Sequence, residues 1–442
     1  MAAPRPQIIT EANATSPQII DGSVRFIREQ KTYLKRTPSS ASNRRIWTLS
    51  LWVKMGAFNI RESDGTWNRG AFLSSGSNPW GGPTIWSDAT NRNFAHAYDP
   101  SGTDYSKRCI SNCRDFSSWY HVVYTTDTAQ STDTNRWKIY VNGELQDLET
   151  PSGLNGYPAQ NTELGINAAV QHYIGVFNNA SAYFDGYISE YHFLDGQVVG
   201  PENFGYRDAL TNTWRPKKYT TPSSYTDLNN GKNWTGTAVS GVSGWTQALA
   251  QGFNGSISNA AEGNTNGETA TIALGQTVTV AAGGVGVYTW VTSGNPLTFK
   301  LILDGVVKET INQGSSGGQW YWSSSYAGDI DAISIARDGK APEWGAIEIN
   351  GQRLIDNYSD PEGYGINGFY LPLDGSAPIG EDQSGQGNHW TAAGHGFGGS
   401  IHMDRASGAL PIYNTVNGGS CATPGVRGRV GVAVTVYNSK YY

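Results

Sequence analysis

The sequence predicts an almost entirely antiparallel, all-β protein made of packed sheets. Three observations carry that expectation. The composition is that of strands and turns, with 55 Gly, 15 Trp and 24 Tyr in 442 residues and only 15% charged residues. Several runs alternate apolar and polar residues with a period of two, as a strand with one buried face does. Those runs end in Asn-Gly or Asp-Gly pairs, which accept the positive φ angles of a two-residue hairpin turn. The length leaves room for two or three domains.

Residues 1–22 are rich in Pro, Ala and Thr, show little periodicity, and are expected to form an N-terminal arm. Further on, Trp47, Leu49, Leu51 and Val53 alternate with Thr48, Ser50, Trp52 and Lys54, which predicts a strand. Arg25, Arg28, Lys31, Lys35, Arg36, Arg44 and Arg45 cluster just before it. They read either as cations that keep sheet edges from pairing or as a patch for an acidic partner. Residues 55–117 read as loop-rich. Two strands then belong together. SSWYHVVYTTD sets Val122 and Tyr124 against His121 and Val123; NRWKIYVNGEL sets Trp137, Ile139 and Val141 on one face and turns at Asn142-Gly143.

The stretch YFDGYISEYHFLDGQ, from Tyr183 to Gln197, reads as a long strand closed by Asp195-Gly196. Phe184, Ile188 and Leu194 share one phase of its alternation, and Tyr187, Tyr191 and Phe193 the other. Such a strand is covered on both faces, or bulged midway. Between residues 222 and 360, LTFKLILDGVVKETI groups Phe299, Leu301 and Leu303 and turns at Asp304-Gly305. WGAIEINGQRLID groups Ile347 and Ile349 and turns at Asn350-Gly351. A second, smaller inserted β-sandwich is expected there. Residues 361–442 are Gly-rich and too short of strands for a further module, so they are expected to pack on the first sandwich or on a partner subunit.

Three motifs in order, W-x-H-V-V-x-T from Trp119, W-x-I-Y-V-N-G from Trp137 and F-D-G-x-I-x-E from Phe184, resemble the laminin-G-like, or concanavalin A-like lectin/glucanase, jelly roll. The resemblance spans residues 23–221. The text that follows, D-G-Q at Asp195 and W-x-P-K-K-Y at Trp214, looks like laminin-G-like modules in structural proteins of tailed, especially marine, bacteriophages. So does GINGFYLPLDGSAPIGEDQSGQGNHWTAAG from Gly365. Residues 222–360 loosely resemble a carbohydrate-binding-module sandwich.

The resemblance implies a non-enzymatic virion structural protein, a tail fibre or a tail- or capsid-attached appendage, assembled in the host cytoplasm. Its implied partners are other virion proteins, its own copies in a homotrimer, and host-surface polysaccharide. Two alternatives stand: a polysaccharide depolymerase on the same fold, and a purely architectural capsid-decorating or tail-bridging protein with no glycan site.

The chemistry visible in the chain is sparse. A net charge of −6 gives no pull towards nucleic acid. There is no apolar run of membrane length and no signal-peptide core at the start, so a soluble chain without membrane insertion is expected. Cys109, Cys113 and Cys421 are odd in number; Cys109 and Cys113 are close enough in sequence to pair, or to remain thiols. No metalloprotease, nucleophile-elbow or P-loop motif appears. Glucanases of this fold use Glu-x-Asp-x-x-Glu, and the nearest text, Glu62-x-Asp64-x-x-Trp67, lacks the last carboxylate. No catalytic residue is assigned.

Relatives of this fold bind calcium through rim loops, which makes Asp64, Asp88 and Asp99 the candidate Ca2+ ligands and Ca2+ the only cofactor considered. Sugar rings stack on aromatic faces beside amide and hydroxyl groups. By that criterion Trp67, Trp80 and Trp86 are candidate carbohydrate-binding residues, with Trp234, Trp245, Trp320 and Trp322 in the second unit. The competing assignment for each is core or interface packing. Trp47, Trp52, Trp119 and Trp137 are assigned to packing.

Overall fold

The computed structural model describes residues 18, 20, 22–56, 69–76, 82–86, 92–98, 102–111, 113, 115–177, 183–290, 295–313, 318–394 and 403–405. They form a nearly all-β protein with two hydrophobic cores.

The first core sits behind an eight-stranded sheet. Its strand order is Glu144–Leu145, Trp137–Val141, Tyr120–Asp127, Ile46–Met55, Gly186–Asp195, Gly22–Phe26 and Met403–Arg405. Leu49, Leu51, Val53, Val122, Tyr124, Ile139 and Ile188 point into it, and Leu34, Phe72, Tyr105 and Ile174 close it from the opposing strands. This is the concanavalin A-like jelly roll. Trp47 and Trp137 are core residues of it, as assigned from the alternation.

The strand Gly186–Asp195 is both bulged and covered on both faces. Its register against Ile46–Met55 shifts between Ser189 and His192, and Glu190 adopts φ 49° at the bulge. The bulge also divides the strand's other edge. Gly186–Ile188 pair with Gly22–Phe26, whereas Tyr191–Phe193 pair with Phe369–Leu371. Ser189 Oγ reaches both sides of the divide, donating to the carbonyls of Gly22 (2.8 Å) and Pro372 (3.2 Å). Part of the C-terminal segment thus enters the first sandwich, and Leu371, Leu373 and Trp390 join its core.

The outer face of this sheet is closed by the chain that follows it. Val123 and Leu194 meet Val199, Phe204 and Tyr364, and Trp52 and Trp119 meet Ile20 and Trp214. His121 is stacked between Trp52 and Trp214, at 5.0 and 5.9 Å. Trp214 Nε1–H donates to His121 Nδ1 (2.9 Å), so the other ring nitrogen carries the proton and faces Ser50 Oγ (2.9 Å). Burial, with a lesser push from His192, drives His121 down to about 3, and it is a neutral structural histidine.

The second core lies between two sheets. One orders Val239–Ser240, Thr269–Val280, Gly328–Arg337, Leu297–Leu303 and Val306–Gln313; the other orders Gln319–Trp322, Val285–Thr289, Ala346–Ile349 and Gln352–Arg353. Phe299, Leu301, Ile347 and Ile349 are fully buried in it, while Leu303, expected beside them, is half-buried. A register shift between Leu301 and Ile302 precedes the hairpin turn.

The three hairpin turns named by the sequence all form, with φ of 49° and 83° at Asn142-Gly143, 51° and 73° at Asp304-Gly305, and 48° and 85° at Asn350-Gly351. At Gly143 the requirement is double, because a Cβ there would also collide with the Trp214 ring. Gly143→Ala is expected to cost on the order of 1–3 kcal/mol from backbone strain and overpacking. Denaturant unfolding followed by tryptophan fluorescence checks this; an unchanged midpoint contradicts it.

Candidate functional site

The basic cluster that precedes the strand Ile46–Met55 is partly internal to the fold. Arg25 pairs with Asp185 at 2.9 Å and Arg44 with Glu163 at 3.4 Å. Arg36 is fixed by Asn367 and Asn388 of the C-terminal segment. Arg45 is buried where the two sandwiches meet. These four cations are used inside the molecule, while Lys31 is exposed and Arg28 and Lys35 are half-buried, which narrows the acidic-partner surface they suggested.

The junction is built from one turn of each sandwich. Asp195-Gly196-Gln197 ends a strand of the first, and Asn350-Gly351-Gln352 ends a strand of the second. The turns touch glycine to glycine: a Cβ on Gly196 would collide with the Gly351 carbonyl, and one on Gly351 with the Gly196 carbonyl. Asp195 fastens its turn by accepting from Asn43 N (3.2 Å), Asn167 Nδ2 (2.7 Å) and Asn367 N (2.9 Å). Asn350 fastens the other, donating from N to Gly284 O (2.7 Å) and from Nδ2 to Thr279 O (2.8 Å).

Buried polar groups cross the same plane. Asn43 Nδ2 donates to Glu348 Oε1 (3.0 Å), and Arg353 Nη1 donates to Ala41 O (2.8 Å) and Gly255 O (2.9 Å). Arg353 also pairs with Glu348 at 3.3 Å. Arg45 donates to Gly283 O (3.2 Å) and lies 3.4 Å from the centre of the Trp322 ring. Buried pairs of this kind fix geometry more than they add stability.

Beside this junction runs an open groove of about 730 Å3, a size suited to a ligand. Asp127, Gln130, Ser131 and Gln160 line it from the first sandwich; Gln276, Thr277, Thr279, Ser324, Asn350 and Gln352 line it from the second. Gln197 and the connecting segment around Tyr225 form its floor and end. Among the described lining residues there is no Lys, Arg or His, one carboxylate (Asp127), and one aromatic ring (Tyr225). Amides and hydroxyls therefore dominate its chemistry, which suits recognition of hydroxyl-bearing ligands better than charge pairing.

Among the described residues, none of those chosen from sequence lines this groove. Trp234 is 2% exposed and lies in the second core, its Nε1 donating to Asn229 Oδ1 (3.0 Å), so it has no face to offer a sugar. Trp245 is half-buried and set edge-on to the core residue Trp344 at 5.6 Å. Trp320 and Trp322 stack on each other at 5.1 Å; Arg45 covers Trp322, and Arg353 lies 5.3 Å from the Trp320 ring. Trp322 is thus a junction residue, whereas Trp320 packs among Tyr288, Trp322 and Arg353 of its own sandwich.

Trp67, Trp80, Asp64, Asp88 and Asp99 lie outside the described residues. Trp86 falls in the strand Gly82–Trp86, and its side chain lies outside the description. Among the described residues no group of three or more His, Cys, Asp or Glu is arranged to hold a metal, and no helix is long and apolar enough to cross a membrane. Cys109 and Cys113 are buried in the first core.

Sequence reasoning missed the glutamines and Trp290. Trp290, 44% exposed, ends the aromatic row that Tyr288, Trp320 and Trp322 begin. A signal for the groove was present. The same Gly-Gln pair follows a turn residue at Gly196-Gln197 and at Gly351-Gln352, once in each sandwich.

Residues 29–202 match the family model described as the Concanavalin A-like lectin/glucanases superfamily, a span that holds most strands of the first sandwich but not Gly22–Phe26 or Phe369–Leu371. Solved structures similar to parts of the chain include a native heptameric SAP-like pentraxin from Limulus polyphemus. It is 14% identical, with 40% of this chain and 77% of the pentraxin covered and a TM-score of 0.27. The family 32 CBM from C. perfringens NanJ in complex with galactose is 13% identical, with 28% and 97% covered and a TM-score of 0.23. The CBM32 of AlyQ in complex with 4,5-unsaturated mannuronic acid is 17% identical, with 26% and 93% covered and a TM-score of 0.22. No curated protein matches the chain.

Burial pushes Glu348 up to about 7, against the opposing pull of Arg353 and Arg45. It pushes Asp195 up to about 6, against its hydrogen bonds and Arg353. A raised carboxyl contributes stability that is whole below the ordinary carboxylate range and is lost as pH rises through its folded value. His121 and His172, driven down by burial to about 3 and about 4, act oppositely, so the whole-protein pH profile mixes both. Comparison with Glu348→Gln isolates the junction. From about pH 5 to about pH 8, the native protein's stability relative to that variant is expected to fall by on the order of 2 kcal/mol. Parallel unfolding curves at both pH values check it, and a constant difference contradicts it.

Proposed function

We propose that this chain is a non-enzymatic glycan-binding structural protein of a bacteriophage particle, a tail fibre or a tail- or capsid-attached appendage that meets host-surface polysaccharide during adsorption. The observation that carries the binding part is the open groove between the sandwiches, lined by amides and hydroxyls. The concanavalin A-like domain over residues 29–202 supports the same reading at the level of fold.

The particle context is supported by the chain's own text, from Asp195 to Tyr219 and from Gly365 onward, which resembles phage structural modules. In that setting copies assemble as a homotrimer on other virion proteins, and avidity raises weak sugar affinities. The groove's chemistry is that of holding a ligand. A glycosidase of this kind needs two opposed carboxylates, and its lining offers Asp127, which already accepts from Ala129 N (3.0 Å) and Gln130 Nε2 (2.6 Å).

Purified intact protein is expected to bind a subset of bacterial surface polysaccharides on a glycan array and to release no reducing ends from them. Absence of any bound glycan contradicts the binding reading. Steady release of reducing ends replaces it with a depolymerase.

A further inference from the structure

The groove carries more information than its size, because four of its amides are oriented alike, while Gln352 uses both ends on the protein, donating to Thr226 O (2.7 Å) and accepting from Leu228 N (3.0 Å). Gln160 Nε2 donates to Ala129 O (3.0 Å), Asn350 Nδ2 to Thr279 O (2.8 Å), Gln130 Nε2 to Asp127, and Gln197 Nε2 to Gly363 O. Each of these partners accepts only, so each side chain must present its NH2 group to the protein. Its carbonyl oxygen is then the part left over. Among the described residues no donor is recorded on Gln130 Oε1, Gln160 Oε1, Gln197 Oε1 or Asn350 Oδ1.

The groove therefore offers free amide carbonyls beside a carboxylate, and has no lining cation. A ligand that brings donors is favoured at those carbonyls. Sugar hydroxyls bring them, since each can donate as well as accept. Carboxylate, sulfate and phosphate groups accept only, and would be desolvated beside Asp127 with no cation to neutralise them.

Resting on the glycan-binding reading above, we infer that the groove between the sandwiches takes a segment of uncharged, hydroxyl-rich polysaccharide and excludes acidic polysaccharides such as polyuronates. Both walls contribute acceptors, Gln130 and Gln160 from one sandwich and Asn350 from the other, so the ligand spans the junction.

The test uses the full chain and two panels of oligosaccharides: uncharged gluco-, galacto- and manno-oligomers, and acidic oligomers from alginate, pectate and polysialate. Binding is measured by calorimetry at low and high salt. Thr277→Trp fills the groove from an exposed lining position; Ser131→Trp, exposed on the opposite wall, repeats the test if the first variant does not fold. The tightest ligands are expected to be uncharged, to bind independently of salt, and to lose at least about tenfold in affinity when the groove is filled.

Tighter, salt-sensitive binding of an acidic oligomer that the filling variant abolishes overturns the inferred chemistry but leaves the groove as a glycan site. Uncharged ligands that bind the filled variant unchanged overturn the groove while leaving the glycan function. Failure of both panels overturns this inference together with the function it rests on.

Discussion

Two glycines, Gly196 and Gly351, meet where the sandwiches join, and much of the molecule's organisation follows from that contact. Each lies in the left-handed region, with φ of 86° and 85°, and each has the other's carbonyl where a side chain would be. The approach is closer than any residue with a Cβ allows. It places Gln197 and Gln352 side by side on the groove, and brings Asn43 and Arg353 within hydrogen-bond reach of groups across the plane. Neither sandwich alone contains the groove, because its walls come from both.

The first sandwich explains why the open concavity lies there. The outer face of a jelly-roll sheet is an obvious place for a ligand. Here Phe204, Trp214, Tyr364 and Tyr370 fill it, and His121 and His192 are consumed in stacking and hydrogen bonding beneath them. The bulge at Glu190 permits that closure. It lets one strand serve Gly22–Phe26 and then Phe369–Leu371, so that the chain beyond the second sandwich returns to complete the first. The second sandwich is thereby tethered at both of its ends, and a shallow, polar seam is left between the two bodies.

Much of this fold was legible in the residues. Period-two alternation placed Trp47, Leu49, Leu51 and Val53 in the core correctly, and the turn pairs marked the hairpins, because both signals are local consequences of backbone geometry. The bulge was visible as apolar residues on both phases of one strand, although the alternation could not tell a bulge from two-sided cover; the molecule has both. The residues of the proposed binding groove were harder to read. Trp234, Trp320 and Trp322 look from sequence like loop aromatics among polar neighbours. Whether a tryptophan faces a core, a neighbouring sandwich or water depends on contacts with residues far along the chain, as Arg45 over Trp322 illustrates. The glutamines of the groove carry no periodic signal, and their orientation depends on carbonyls supplied by the fold.

The proposed ligand recognition belongs to the junction and not to either sandwich. Gly351→Ala tests it most directly: the added methyl meets the Gly196 carbonyl, separating the two turns while leaving both hydrophobic cores their own residues. The measurement is affinity for the best-bound polysaccharide, taken together with the β-sheet circular dichroism of the same sample. The account predicts native-like sheet content with binding weakened by at least about tenfold. Native affinity in a variant whose two turns have moved apart contradicts it.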